Sequence, residues 1–194
     1  MTESAPAVAG GAPVHGTGAP SAWVMRGLRW LPRSARVLDL ASGHGRHARA
    51  AQSLGMVVTA ADSDASALAA VGDGVRCVQA DLEAEPLPFE AGSFDAVMVT
   101  NYLYRPRFSE ICGLLAPGGL LIYETFALGN ERYGRPSNPD FLLQPGELFE
   151  RCVSAGLRVV AFEDGVSVSG RKARIQRVLA AERSADLESF AIEW

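Results

Sequence analysis

Apolar positions along this chain fall into short continuous runs separated by stretches with helical spacing. Val37 to Leu40 is apolar except for Asp39, and Ala48, Ala51 and Leu54 then recur as one helical stripe. That pattern predicts a buried strand, a tight turn at Gly43-His44-Gly45 and a helix closed by Gly55. Ser21 to Leu31 places Trp23, Val24, Leu28 and Leu31 on one helical face, with Ser21 as N-cap and Pro32 as the stop. A second strand runs from Met56 to Ala60 and ends at Ala61-Asp62. Ser63-Asp64 opens a short helix through Val71, and Val75 to Gln79 is a third strand ending at Ala80-Asp81-Leu82. Phe94 to Thr100 is nearly all apolar, which predicts a strand buried on both faces.

Phe108, Ile111, Leu114 and Leu115 form the next helical stripe, stopped by Pro117-Gly118-Gly119. Leu120 to Glu124 is a fifth strand. A long irregular stretch, 126–144, precedes a helix that Pro145 begins and Gly156 ends. Leu157 to Phe162 and Ala173 to Ala180 are the last two strands, with no helix between them. Strand–helix alternation predicts an α/β fold with a doubly wound, seven-stranded, mostly parallel sheet. Its expected order is 3-2-1-4-5-7-6, and the short link between the final strands makes one of them antiparallel.

The 194 residues suit one core-bearing domain, assigned to 21–194, behind a disordered Ala/Gly/Pro-rich tail over 1–20. A net charge of −4 without a basic stretch argues against a nucleic-acid partner. No run reaches the ~18 apolar residues of a membrane span, and the first residues lack the basic start and apolar core of a signal peptide. Cys77, Cys112 and Cys152 have no C-x-x-C spacing, so they read as buried thiols of a reducing, cytoplasmic compartment. No metal-ligand cluster is visible, and no metal is expected.

The chemistry sits at the strand ends. The helix start after the two glycines offers free N–H groups to a carboxylate or phosphate. Asp62 lies ~20 residues beyond Gly43, where a carboxylate can accept both hydroxyls of a ribose. Asp81 ends the third strand and can accept from an exocyclic amine. Three readings follow: a protein acting on a nucleotide-like ligand held at these strand ends, a small NAD(P)-binding oxidoreductase, and a cofactor-binding regulatory protein without turnover. Gly43-His44-Gly45-Arg46-His47-Ala48 does fit G-x-G-x-x-A. Against the oxidoreductase stand the charge of Asp39 just before the glycines and the short chain.

These residues resemble the class I S-adenosylmethionine-dependent methyltransferases. VLDLASGHGR is similar to that family's first motif, TAADSD to its second, QADL to its third, FDAVMVTNYL to its fourth, and LLAPGGLLIYETF to its fifth strand and preceding turn. The likeness covers roughly residues 35–125. Small Ala41 and Ser42 replace the glycine, and often cysteine, usual in the family. NERYGRPSNPDFLL looks similar to short bacterial members, loosely of the tellurite-resistance type. The resemblance implies a methyltransferase domain using S-adenosyl-L-methionine on a small molecule. Asp39, Ala41, Ser42, Gly43 and Gly45 would line the methionine end. Asp62 and Ser63 would meet the ribose, Asp81 and the Leu82 N–H the adenine, and Asn101 the sulfonium. Arg46 has two readings, a partner for the cofactor carboxylate or a solvated helix arginine. His44 is a loop residue able to face substrate, and His47 reads as a satisfied helix residue.

Substrate contacts are expected from Tyr102, Tyr104 and Arg105 after the fourth strand, and from the 126–144 loop through Asn130, Tyr133 and Arg135. A loop of that length and mixed aromatic and cationic content reads as a lid, with Arg105 or Arg135 meeting an anionic group. The alternative is a loop that Tyr133 and Phe141 pin to the body while its arginines stay solvated. No general base is assigned, because the cofactor carries the activated group.

Overall fold

The computed structural model describes residues 18–84, 86–169 and 171–190, with the Leu187 side chain outside that description. Most of the tail assigned to 1–20 therefore lies outside the described residues. Its last three, 18–20, are irregular and line a cavity described below.

The strands are β1 (Arg36–Leu40), β2 (Val57–Asp62), β3 (Arg76–Gln79), β4 (Phe94–Thr100), β5 (Leu115–Phe126), β6 (Arg158–Ser167) and β7 (Ala173–Ala181). They form one seven-stranded sheet in the order β3-β2-β1-β4-β5-β7-β6. β1 to β5 are parallel neighbours, and β7 runs antiparallel to both β5 and β6. The helices are α1 (Ala22–Leu28), α2 (Arg46–Ser53), α3 (Ala65–Ala69), α4 (Phe108–Gly113) and α5 (Glu147–Ser154).

Two hydrophobic cores sit on opposite faces because adjacent residues of a strand point to opposite sides. Leu38, Leu40, Val97, Val99, Leu121 and Tyr123 face Phe108, Ile111 and Cys112 of α4 and Leu148 and Cys152 of α5. Their neighbours Val37, Ala96, Met98, Leu120 and Ile122 face α1, α2 and α3. The run of apolar residues in β4 thus reflects burial on both faces.

Several boundaries differ from expectation. β5 begins at Leu115, running through Pro117-Gly118-Gly119, because the ladder with β4 absorbs the glycines by a register shift between Phe94 and Ala96. β6 extends to Ser167 through residues that are largely exposed, so no apolar signal marked its second half. α5 starts at Glu147, not Pro145. Gly146 takes the cap position with φ 75°, and its N–H donates to Asp164 Oδ2 at 3.2 Å. α1 ends at Leu28, and α3 is capped by Asp64, whose side chain accepts from Ser66 and Ala67 N–H. Cys112 and Cys152 are buried, but Cys77 is exposed on the edge strand β3.

Candidate functional site

The site is built on the carboxyl ends of β1 to β4. After β1 the chain enters the left-handed region at Ala41 (φ 56°), Gly43 (φ 52°) and Gly45 (φ 70°) and then turns into α2. Glycine is required at Gly45: a Cβ there would lie 2.7 Å from Val71 Cγ2. At Gly43 a Cβ would meet nothing within 4 Å, so this backbone faces open space.

Asp39 lies beneath the turn, fully buried. Its Oδ2 accepts from Ala48 N–H at 2.9 Å, while Oδ1 has no partner among the described residues. Burial pushes its pKa up to about 7, against the pull of the Ala48 N–H and of Arg46. The Ser42 hydroxyl is also buried without a partner. Asp62 ends β2, and its Oδ2 accepts from Gly43 N–H at 2.7 Å while Oδ1 accepts from Asp64 N–H at 3.0 Å. Ser63 beside it is exposed. Asp81 is exposed, and one oxygen accepts from the N–H groups of Glu83 (2.9 Å) and Ala84 (3.0 Å); those bonds hold its pKa below the usual carboxylate range. Leu82 is buried in the core beside α4.

Asn101 follows β4 and is the second non-glycine residue, with Ala41, in the left-handed region (φ 56°) among the described residues. β1 and β4 are adjacent, so the two strained positions stand side by side at the strand tips. Two cavities meet at Asn101, Phe126 and Arg135. The larger, about 630 Å³, is lined by Glu83, Tyr102, Leu103, Thr125 and Phe141, with 136–138 of the loop. The second, about 500 Å³, runs past Arg46, 18–22 and Tyr133 to Arg171 and Lys172.

The expected substrate residues divide. Tyr102, Tyr133 and Arg135 line the cavities. The Tyr102 hydroxyl is buried without a partner among the described residues, and burial raises its pKa, so it stays a neutral donor. Tyr104 lines neither cavity. Arg105 is turned away: its guanidinium donates to Glu147 (2.7 and 2.9 Å), to Asp140 O (2.7 Å) and to Leu142 O (2.8 Å). A side chain so engaged braces the loop and has little left for an anionic ligand. Asn130 borders the second cavity but is 1% exposed. Its amide donates to Pro136 O (3.0 Å) and accepts from Arg174 N–H (3.1 Å), so it clamps backbone. Phe141 is half exposed and lines the larger cavity.

His44 lines neither cavity, while His47 is satisfied as expected, through contacts beyond its own helix with Ser21 and Thr100. Sequence reasoning missed Thr125, Glu124, Arg171 and Lys172. The clustering of Arg171, Lys172 and Arg174 in an acidic chain was the available signal for the last two.

Residues 38–123 match the family model described as methyltransferase domain. That stretch of the chain is therefore similar to a methyltransferase domain. The chain is 34% identical over 104 residues to uncharacterized proteins of Mycobacterium tuberculosis and Mycobacterium bovis. That match covers 50% of this chain and 38% of theirs, so the chain spans well under half the length of those relatives. Among solved structures it is similar to an S-adenosylmethionine-dependent methyltransferase from Mesorhizobium loti (TM-score 0.64, 19% identity, 83% of this chain and 98% of that one). TehB from Haemophilus influenzae superposes with a TM-score of 0.71 at 18% identity, over 87% and 64% of the two chains. The [4+2]-cyclase SpnF does so at 0.61 and 19% identity, over 77% and 74%. At such identities the likeness is one of fold, and the same fold carries different reactions.

The residues fit the family's cofactor, S-adenosylmethionine. Two buried polar atoms lacking partners, Asp39 Oδ1 and Ser42 Oγ, lie at the turn, and the Gly43 backbone is open beside them. The oxidoreductase alternative finds no support. Antiparallel β7 between β5 and β6 departs from the 3-2-1-4-5-6 order of dinucleotide folds.

Proposed function

We propose that this chain is a methyltransferase, transferring a methyl group from S-adenosylmethionine to a small-molecule nucleophile by in-line displacement. The observation that carries the reading is the row of Asp39, Asp62 and Asp81 at the ends of β1, β2 and β3, beside a glycine turn with unpartnered buried polar atoms. Ala41, Ser42, Gly43 and Gly45 receive the methionine end, with Arg46 on its carboxylate. Asp62, beside Ser63, accepts the ribose hydroxyls through the lone pairs that Gly43 and Asp64 leave free. Asp81 accepts the adenine amine, next to the Leu82 N–H, and Asn101 stands near the sulfonium.

When bound, the cofactor supplies an activated methyl group. The chain's task is to orient and to exclude water. Leu103, Phe126 and Phe141 provide apolar wall around Asn101. Tyr102, with its unpartnered hydroxyl, donates to an acceptor on the substrate, and Tyr133 and Arg135 position it. The 126–144 loop acts as the lid, braced at one end by Arg105 and Glu147 and at the other by Asn130.

Calorimetric titration with S-adenosylmethionine, S-adenosylhomocysteine and NADH tests the cofactor, and transfer of labelled methyl into a cell extract tests turnover. Binding of both adenosyl compounds with label transfer is the expected result. Binding of NADH in their place overturns the reading, and adenosyl binding without transfer reduces it to a cofactor-binding protein.

A further inference from the structure

The second cavity carries a charge pattern that the cofactor does not account for. The whole chain has a net charge of −4, yet this cavity is lined by Arg46, Arg135, Arg171, Lys172 and Arg177 against one carboxylate, Glu124. Glu124 is already engaged by Arg177 at 3.4 Å, and Arg177 pairs in addition with Glu163. The other four cations have no carboxylate partner among the described residues. Arg46 donates to Ala19 O, and Arg171 Nη2 donates to Tyr133 O at 3.2 Å. Lys172 Nζ lies 5.2 Å from the centre of the Tyr133 ring, and Arg135 has neither hydrogen bond nor ion pair among the described residues.

Solvated surface cations are ordinary, but convergence of four on one concave site is not. Like charges brought together cost free energy unless an anion enters among them. The backbone also makes room for the arrangement. A Cβ at Gly134 would lie 1.7 Å from Arg171 Nη2, so glycine there lets that guanidinium rest against the loop next to Arg135. Arg135 in turn lines both cavities with Asn101, so a charge held by it lies close to the proposed methyl position. Phe126 and Ile175 add apolar surface for an organic body.

We infer that the methyl acceptor is an organic anion, bearing a carboxylate or phosphate that Arg135, Arg171 and Lys172 receive. Arg46 is left for the cofactor's carboxylate. The inference rests on the function proposed above and names the substrate class that it leaves open.

The test uses the full chain, first titrated with S-adenosylhomocysteine alone. Benzoate, phenyl phosphate and uncharged benzamide are then titrated calorimetrically at millimolar concentration, with and without S-adenosylhomocysteine. Benzoate or phenyl phosphate is expected to bind and benzamide not, with the stronger of the two anions identifying the group. Arg135→Gln and Lys172→Gln should each weaken that anion about tenfold, with S-adenosylhomocysteine affinity unchanged. Arg33→Gln, on the exposed link before β1, should leave both unchanged. Equal binding of benzamide, no binding of either anion, or full anion affinity in both cavity variants overturns the inference. Failure of S-adenosylhomocysteine to bind overturns the cofactor assignment instead, and the anion titrations without it still decide whether the cavity takes anions.

Discussion

His47 Nδ1 lies 3.2 Å from Thr100 Oγ1, and the other ring nitrogen of His47 accepts from Ser21 N–H at 3.1 Å. A backbone N–H can only donate, so Nε2 is unprotonated and Nδ1 carries the proton toward Thr100. One buried imidazole thereby ties the start of α1, the first turn of α2 and the tip of β4. Thr100→Val leaves Nδ1–H buried without an acceptor and should cost about 1–3 kcal/mol. Thr100→Ser should retain most of the stability, as measured by urea denaturation.

His47 and Asp39 make opposite contributions to pH dependence. Burial, helped by Arg46, lowers the His47 pKa to about 3. Its contribution is therefore fully present above the ordinary histidine value and is lost as pH falls from there through about 3. Asp39 is raised to about 7, so its contribution is full below the ordinary carboxylate value and is lost as pH rises through about 7. The two slopes overlap and largely offset each other. Asp39→Asn, which keeps an oxygen for Ala48 N–H, should steepen the loss of stability in acid. His47→Gln should reduce or reverse it. Melting temperatures between about pH 4 and 8 read both slopes.

The Arg105–Glu147 pair is a brace, and its loss should be read in stability. Glu147 also accepts from Arg151 at 2.6 Å and from Gln144 N–H at 2.9 Å, and these bonds with Arg105 hold its pKa down at about 2. Arg105→Ala should destabilise the chain by about 1–2 kcal/mol, since the pair is only partly shielded from water. S-adenosylhomocysteine affinity should be unchanged, which calorimetry checks.

Tyr133→Phe and Arg135→Ala bear on the lid. Each is expected to lower methyl transfer without altering cofactor affinity. Unchanged turnover in both would remove the loop from the mechanism.

Gly45→Ala combines an unfavourable φ with a clash against Val71 and should cost about 1–3 kcal/mol. Val71→Ala relieves the clash and leaves the φ, so the double variant should recover part of the loss. A double-mutant cycle in thermal denaturation measures that share.

The sheet was legible because burial on two faces writes continuous apolar runs, as in β4, whose bounds fall where Phe94 and Thr100 predict. The outer half of β6 was not, because an exposed edge imposes no apolar requirement on Glu163 or Asp164. The acidic strand ends were legible from spacing to the glycine turn. Asn130 and Arg105 were misread for a common reason: a polar loop residue looks the same whether it awaits a ligand or holds backbone. Only the positions of Pro136, Arg174 and Glu147 separate the two. The convergence of Arg135 and Arg171 on one cavity was equally hidden, since it depends on how the loop lies against the β6–β7 hairpin.

Asp62 grips Gly43 through a 2.7 Å bond. The end of the second strand thereby holds the turn that follows the first, and the two tips are tied into one piece. Asp62→Ala would cut that tie and leave the turn to be ordered by whatever binds there, at a cost to association.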